Sequence, residues 1–459
     1  MKPSEACAVF GVSLSVPNGN GEAAGIVYNG LLATQHRGQE AAGIAVLQGN
    51  GIQCQRGIGL VSEVFSGDKL SELTGGMAVG HTLYAVSDSG IRHCCQPFVT
   101  EFLTGRTAIA LNGSVTNARK LRERLSALGI SSTASCDGEV VSELVAYMVK
   151  STGDVLSGVG RAASEIEGAF SMVVLSSDGK LVAVRDSSGF RPLCVGTGPQ
   201  GTAFASESCA LDSAGFTLVE DVMPGGIVAV ENGEITKKMT FRQNRERTGG
   251  LCIFEFVYFA RPDSIIDGLC VYEARFNMGK ILAKEHPAST DVVCGVPDSG
   301  IEAALGYAAA SGLPPVSGFV KNRYIGRSFI YPTKSQRENA VRLKLNPLKS
   351  NIDGKRIVLV DDSIVRGTTV ANTIAALKGV GAKEVHLRIS SPPFRYTCHW
   401  GTDIGDEKNL IANRLDQEKI CQSIGADSLG YISREGLLEA CAGCKLKFCT
   451  ACFSGHMGL

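Results

Sequence analysis

The chain lacks a surplus of charge of either sign: 45 Lys and Arg face 45 Asp and Glu over 459 residues. A binder of nucleic acid or of anionic membrane needs a basic excess or patch, so the balance argues against both. It leaves room for local fields around small charged ligands. Long apolar runs are also missing, and none approaches the ~20 residues of a membrane span. The opening MKPSEACAVFG has one Lys and no extended apolar core before it turns strand-like, so a secretory signal is not expected. Cysteine is too sparse for a disulfide scaffold, with 16 residues in all, about 3% of the chain. No internal repeat or low-complexity segment stands out. What remains is a soluble, cytoplasmic chain of two or three domains, each long enough to bury a core. Its thiols are expected to be reduced and to serve packing, metal binding or catalysis.

The first half, to about residue 240, is rich in short apolar runs punctuated by Gly, Asn and Asp, among them CAVFGVSL, AAGIAVL, AIALNGSV and GGIVAVENGEI. Such runs read as strands, and the Asp-Gly and Asn-Gly pairs in SSDGK and ENGE suit tight hairpins. NARKLRERLSAL and GEVVSELVAYMVK carry apolar residues at helical spacing. Mixed strands, hairpins and helices predict a layered α+β domain. From about residue 285 the pattern becomes strand, loop, helix, repeated: DVVCGV–PDSG–IEAALGYAAASG, then RIVLVDD–SIVRG–TTVANTIAALKGVGA, then EVHLRIS. Continuous apolar strands alternating with helices predict a parallel sheet covered on both faces. The polar stretch 237–250 is the expected boundary, and the last 60 residues, poor in strand signals, read as an appendage.

The most specific stretch is RIVLVDDSIVRGTT, 356–369. Asp361 and Asp362 emerge at the C-terminal end of a buried strand, where parallel sheets bind ligands. Gly367 then opens a helix whose first N–H groups, with the Thr368 and Thr369 hydroxyls, make an anion site. Two carboxylates beside a phosphate cradle suit ribose hydroxyls or Mg²⁺. The stretch resembles the phosphoribosyl-pyrophosphate (PRPP) motif of type I phosphoribosyltransferases. That resemblance gives Asp361 and Asp362 the ribose and Mg²⁺, and Ser363, Val365, Arg366, Gly367, Thr368 and Thr369 the 5′-phosphate. Val296-Pro297-Asp298-Ser299-Gly300 stands where such enzymes bind pyrophosphate, with Ser299 joining the Mg²⁺ set. The basic segment 321–348 is expected to be a flap over the diphosphate, with Arg327, Lys334, Arg342 and Lys344 as donors.

Cys7 precedes a strand-like run and reads either as a structural thiol or as a nucleophile exposed by trimming a six-residue leader. A terminal Cys brings its own base, because a free α-amine can accept the thiol proton. QHRGQEAAG (35–43) and LNGSVTNA (111–118) read as polar loops off strands, and the Asn112 side chain with the Gly113 N–H suits an oxyanion hole. At the other end, CAGCKLKFCTAC sets Cys441, Cys444, Cys449 and Cys452 in two CxxC steps, a metal site or a set of unconnected thiols.

Taken in order, HRGQEAAG, AVRDSSGFRPL, FASESCALDSAGF, YFARPDS, YIGRSFIYPT, VRLKLNPL and VLVDDSIVRGTT resemble the glutamine PRPP amidotransferases over nearly the whole chain. The resemblance implies an α+β N-terminal-nucleophile (Ntn) glutaminase sandwich followed by an α/β type I phosphoribosyltransferase domain with a parallel sheet. It divides the chain into a possibly cleaved leader (1–6), a glutaminase domain (7–240), a phosphoribosyltransferase domain (250–440) and a Cys-rich tail (441–459). Cys7 falls on the family's nucleophile, Asn112 and Gly113 on its oxyanion pair, Asp137 on the ligand of the glutamine α-amino group, and Arg37 in the glutamine-site HRGQ loop. One branch carries a leader and a [4Fe–4S] cluster whose ligands fall on Cys252, Cys398, Cys449 and Cys452, leaving Cys441 and Cys444 spare.

Some positions depart from the family. Leu83 stands where an Arg grips the glutamine α-carboxylate, Val86 where Thr is usual, Ala8 follows the nucleophile in place of Gly, and Leu111 and Ser114 flank the oxyanion pair. Another cation, such as Arg92, would have to supply the charge. The implied activity makes 5-phosphoribosylamine, glutamate and pyrophosphate from PRPP and glutamine, the first committed step of purine synthesis. Purine nucleotides are the implied inhibitors at the PRPP site, and a homotetramer the implied assembly. The departures keep two alternatives in play: an ammonia-dependent phosphoribosyltransferase with a vestigial amidase half, and a non-catalytic paralogue that senses PRPP or nucleotide.

Overall fold

The computed structural model describes residues 7–15, 22–84, 91–103, 105–130, 136–241, 250–322, 345–402 and 404–455. The N-terminal half is two antiparallel sheets packed face to face. One has seven strands, in the order Thr217–Asp221, Cys194–Gly198, Gly201–Ala205, Ala8–Leu14, Met77–Leu83, Ala41–Gln48, Gly51–Ile58. The other has six, in the order Glu234–Thr240, Gly226–Glu231, Lys180–Arg185, Gly168–Ser176, Gly105–Val115, Phe98–Phe102.

The strands are apolar on both faces because both faces are covered. Val9, Val79 and Phe204 of the first sheet meet Ala108, Ala110, Val173 and Leu175 of the second in the central layer. On the outside, Phe10, Val12 and Leu14 pack under the helix Ala23–Ala33. Ile109, Leu111, Met172 and Val174 pack under the helices Ala118–Ala127, Asp137–Thr152 and Val155–Glu165. Each fully buried side chain of this size is worth roughly 1.5–3 kcal/mol. The result is the expected α+β sandwich, with the two sheets at its centre and helices on both outer faces.

The C-terminal half is built on a four-stranded parallel sheet, Val292–Gly295, Arg356–Asp361, Glu384–Ile389, Ser428–Tyr431. The helices Val271–Glu285 and Ile301–Ser311 cover one face. Thr368–Gly379 and Gln417–Ile424 cover the other. The last 60 residues are not an appendage. They supply the fourth strand, Ser428–Tyr431, and the buried Ile420, Ile424 and Leu429. A short strand that finishes an existing sheet carries little pattern of its own. The chain's end returns further still: Leu251–Cys252 pairs in parallel with Phe448–Cys449.

Candidate active sites and a thiol centre

The phosphoribosyl loop lies at the C-terminal end of the parallel sheet, and the strand Arg356–Asp361 delivers both acids there. Asp361 and the residues Ser363–Gly367, with Thr369 and Val370, line one pocket. Gly367 has φ of 82° and caps the helix Thr368–Gly379; a Cβ there would lie 2.7 Å from Ile411 Cδ1. Only glycine takes that turn cheaply, and it starts the helix at the pocket's edge, where Thr369 and Val370 of the first turn line it. Thr368, Thr369 and Arg366 are exposed. Val365 is buried, its carbonyl accepting from Ile411 N–H at 2.9 Å. The Asp362 carboxylate accepts from the hydroxyls of both Ser299 and Ser363, and Asp362 N–H donates to Asp361 Oδ1 at 2.9 Å. The structure therefore brings the Ser299 loop and the acid pair together. Lys321 pairs with Asp298 beside them. Arg327, Lys334, Arg342 and Lys344 lie outside the described residues.

In the N-terminal half, Cys7 sits half-buried at the entry to the strand Ala8–Leu14, its Sγ 4.0 Å from the Tyr84 carbonyl. Asn112 and Gly113 lie on the opposing sheet in the strand Gly105–Val115. His81, register partner of Val9, bridges the two sheets: its Nε2 lies 3.0 Å from the Leu111 carbonyl. Burial pushes the His81 pKa down to about 3, so the ring is neutral and Nε2–H donates. Gln96 clamps the same residue, with Leu111 N–H donating to its Oε1 (2.7 Å) and its Nε2 donating to Leu111 O (3.1 Å). The strand before the oxyanion pair is thus held on three bonds.

The Asn112 Nδ2 is buried and has no partner among the described residues, a donor whose desolvation is compensated once an oxyanion arrives. Gly113, at φ of 151°, passes so close to the Ala169 carbonyl that a side chain would collide with it. Asp137 opens the helix Asp137–Thr152 and accepts from Val115 N–H at 2.7 Å, which ties it to the end of the same strand. Burial raises its pKa, against the Val115 bond and Arg122.

One expectation changes. Arg37 is fully buried, with its guanidinium paired to Glu207 and Glu255, so its donors are spent inside the protein and not on a ligand. Leu83 is buried with Ala41 and Cys95 in a small apolar cluster against which Cys7 and Cys94 pack. Arg92 is exposed. Val86 and the leader 1–6 lie outside the described residues, and residues 85–90 contain no Lys or Arg.

The third centre is made of thiols. Cys252 stands opposite Cys449 in the short parallel ladder. Cys452 O accepts from Arg395 and Tyr396 N–H, both at 3.1 Å, which brings in the segment that holds Cys398. Trp400 N–H donates to Cys398 Sγ at 3.3 Å, and its ring stacks on Phe190 at 4.9 Å. Burial pushes the Cys252 thiol well up against the pull of Arg191, with Cys449 and Cys398 adding to the rise, and burial with Cys252, Cys398 and Cys449 does the same to Cys452. No three His, Cys, Asp or Glu side chains among the described residues close on a single ion. A cubane cluster holds its cysteines farther apart than one ion does. An all-thiol set is the soft donor chemistry it takes. Cys441 is buried, and Cys444 neighbours Asp267, Arg185 and Asp221 instead.

Sequence reasoning missed Glu207, Glu255, Gln96 and His81. Glu255 had a visible signal, being one acid inside the apolar run IFEFVYF, where a charge survives only if partnered.

Comparison with known proteins finds two domain families in succession along the chain. A glutamine amidotransferase domain profile matches residues 85–213, and a phosphoribosyl transferase domain profile matches 270–391. The chain is similar to the amidophosphoribosyltransferase of Methanocaldococcus jannaschii, 43% identical over 94% of this chain and 93% of that one. It is 46% identical to that of Pyrococcus horikoshii over 98% of this chain and 96% of that one. Among solved structures, it resembles the B. subtilis glutamine PRPP amidotransferase complexed with ADP and GMP, with a TM-score of 0.87 at 39% identity, covering 98% of this chain and 96% of that chain.

Proposed function

The chain belongs to the amidophosphoribosyltransferase family, and from that premise we propose how its residues divide one reaction between two sites. The enzyme is a glycosyltransferase of purine biosynthesis that converts PRPP, glutamine and water into 5-phosphoribosylamine, glutamate and pyrophosphate. In our reading the Cys7 thiolate attacks the glutamine amide, and Asn112 Nδ2 and Gly113 N–H hold the oxyanion. Asp137 takes the α-amino group. The oxyanion collapses with cleavage of the C–N bond, the nitrogen takes up the proton given up by the thiol and leaves as ammonia, and water then hydrolyses the thioester to release glutamate and restore the thiol. At the second site the ammonia lone pair forms the C1–N bond as the C1–O bond to pyrophosphate breaks, and the nitrogen sheds a proton. Asp361 and Asp362 orient the ribose hydroxyls, and Ser363–Thr369 hold its phosphate. Arg327 and Lys344 are the cations this reading assigns to the diphosphate.

Ser299, Asp361 and Asp362 form an all-oxygen set that fits Mg²⁺, which when bound neutralises charge on the diphosphate. Cys252, Cys398, Cys449 and Cys452 fit a [4Fe–4S] cluster, which would pin the chain's end to its body. Purine nucleotides share the ribose 5-phosphate of PRPP and would compete at the same loop. A homotetramer in the cytoplasm completes the reading. Among the described residues no helix is long and apolar enough to cross a membrane.

The single observation that carries this function is the Asp361–Thr369 loop at the strand end, with its glycine-capped helix. The experiment is PRPP consumption with glutamine or ammonium as nitrogen donor, in native enzyme and in Asp362→Asn. Native turnover lost with both donors in the variant supports the assignment, and unimpaired turnover refutes it. One observation favours a second reading, in which ammonia is the working donor: the apolar Leu83 beside the nucleophile leaves the glutamine carboxylate without its usual cation.

A further inference from the structure

The segment Glu255–Ser264 runs between the two halves and is held by charged side chains from both sides. It opens with a π-helical turn, Glu255–Phe259, a form rare enough to need outside support. From the N-terminal half, Glu207 Oε1 pairs with Arg37 Nε and lies 2.7 Å from His36 Nε2. Its Oε2 accepts from Arg261 N–H at 2.9 Å and from the Ser264 hydroxyl at 2.6 Å. Arg37 also pairs with Glu255 through one terminal nitrogen and reaches its second oxygen at 3.5 Å with the other. Arg191 lies 3.9 Å from the same carboxylate. From the C-terminal half, Arg275 donates to the carbonyls of Phe256 and Ala260, both at 2.8 Å, and lies 3.8 Å from Glu302. Glu302 sits in the first turn of the helix that follows the Ser299 loop.

The loop that follows Arg37 leads on toward the nucleophile. Its neighbour Gly38 packs so tightly on the backbone of Thr82 and Leu83 that a Cβ would lie 2.6–2.7 Å from it. Glu40 N–H donates to the Leu83 carbonyl at 3.1 Å, and the next carbonyl along, Tyr84, faces the Cys7 thiol. A short run of contacts therefore joins the loop at Cys7 to the loop that holds Asp362.

Arg37, Glu207 and Glu255 are all fully buried. Burying ions is costly, and apolar side chains of the same volume would pack at least as stably, so such a cluster contributes register more than stability. We propose that Arg37, Glu207 and Glu255 form a positioning cluster that keeps the glutaminase loop in register with the phosphoribosyl site. In that register, ammonia released at Cys7 is used at the second site and does not escape to solvent. The proposal rests on the glutaminase reading above.

The test uses the full-length enzyme and the isosteric variants Glu255→Gln and Glu207→Gln. Glutamate and pyrophosphate released are counted with PRPP and glutamine, and turnover is measured separately with PRPP and ammonium. The native ratio of glutamate to pyrophosphate should be near one. In the variants it should rise about threefold or more, while the ammonium-supported rate stays within about twofold of native. A ratio that stays at one, or glutamine and ammonium rates that fall by the same factor, would overturn the proposal. So would failure of both variants to fold, since the cluster would then serve folding alone. A native enzyme that uses only ammonium would overturn the glutaminase reading as well, which separates the two failures.

Discussion

Cys252 and Cys449, almost two hundred positions apart in the chain, are direct register partners in a two-residue parallel ladder. The ladder is anchored by the edge contact of Phe256 with Phe448 at 5.7 Å and by the buried Leu251, and it sets the two thiols side by side. Around it, Phe254 lies 4.9 Å from Phe394 and 5.9 Å from Phe453, which gives the site a dry apolar wall.

The purified protein is therefore expected to be brown, with iron and sulfide near four equivalents each. Cys449→Ser should lose the visible absorption and lower the melting temperature by several degrees, since metal binding to a folded site is folding energy. Absorption spectra, iron analysis and thermal melts check this. A colourless, zinc-loaded native protein would show that the four thiols hold something else.

Asn112→Ala should lower the glutamine-dependent kcat by about 10²–10³-fold, the usual effect of removing one oxyanion donor. The ammonium-dependent rate should be untouched, and KM for glutamine nearly so. The separation of kcat from KM is the informative readout. An equal loss with both nitrogen donors would place Asn112 in a structural role.

Much of the molecule was legible in its residues. Strands such as CAVFGVSL announced themselves because both faces are buried, Val9 toward one sheet and Phe10 toward a helix. The phosphate loop was legible because strand, twin acids, Gly367 and helix lie within a single short stretch. What stayed hidden depends on partners far away in sequence. Arg37 sits in a polar loop that reads as a ligand site, yet its partners Glu207 and Glu255 lie 170 and 218 residues on. The strand Ser428–Tyr431 has no pattern of its own and exists because Glu384–Ile389 offers it an edge.

Asp221 offers a prediction about pH. Burial first, then Asp267, pushes its pKa up to about 6, against the pull of Arg185 and Lys445. In the unfolded chain an Asp titrates near ~3.9, so between pH ~4 and ~6 the folded state binds more protons. Stability from this group therefore falls as pH rises through that window and is flat above it. Asp221→Asn should gain roughly 1–3 kcal/mol relative to native between pH ~5 and ~7.5. Urea unfolding at the two pH values tests this. An identical pH slope in both proteins would mean that Asp221 titrates normally.

Leu83 offers a test of how the amidase half is used. Its side chain fills an apolar cluster with Ala41 and Cys95 beside Cys7. Among the nearby cations, Arg56 donates to the carbonyls of Cys95 and Pro97 at 2.7 and 3.1 Å, and Arg92 is exposed. An unpaired carboxylate bound there loses a charge-assisted contact worth about 2–3 kcal/mol, or roughly a hundredfold in affinity. Leu83→Arg should accordingly lower KM for glutamine by tenfold or more, with little change in the ammonium-supported rate. The apolar cluster resists a buried guanidinium, so the gain should appear only with the carboxylate present to pair it. Glutamine should therefore raise the variant's melting temperature more than it raises the native protein's. If the variant gains neither affinity nor thermal protection, the glutamine carboxylate is held elsewhere, and Leu83 is a neutral replacement in an intact glutaminase.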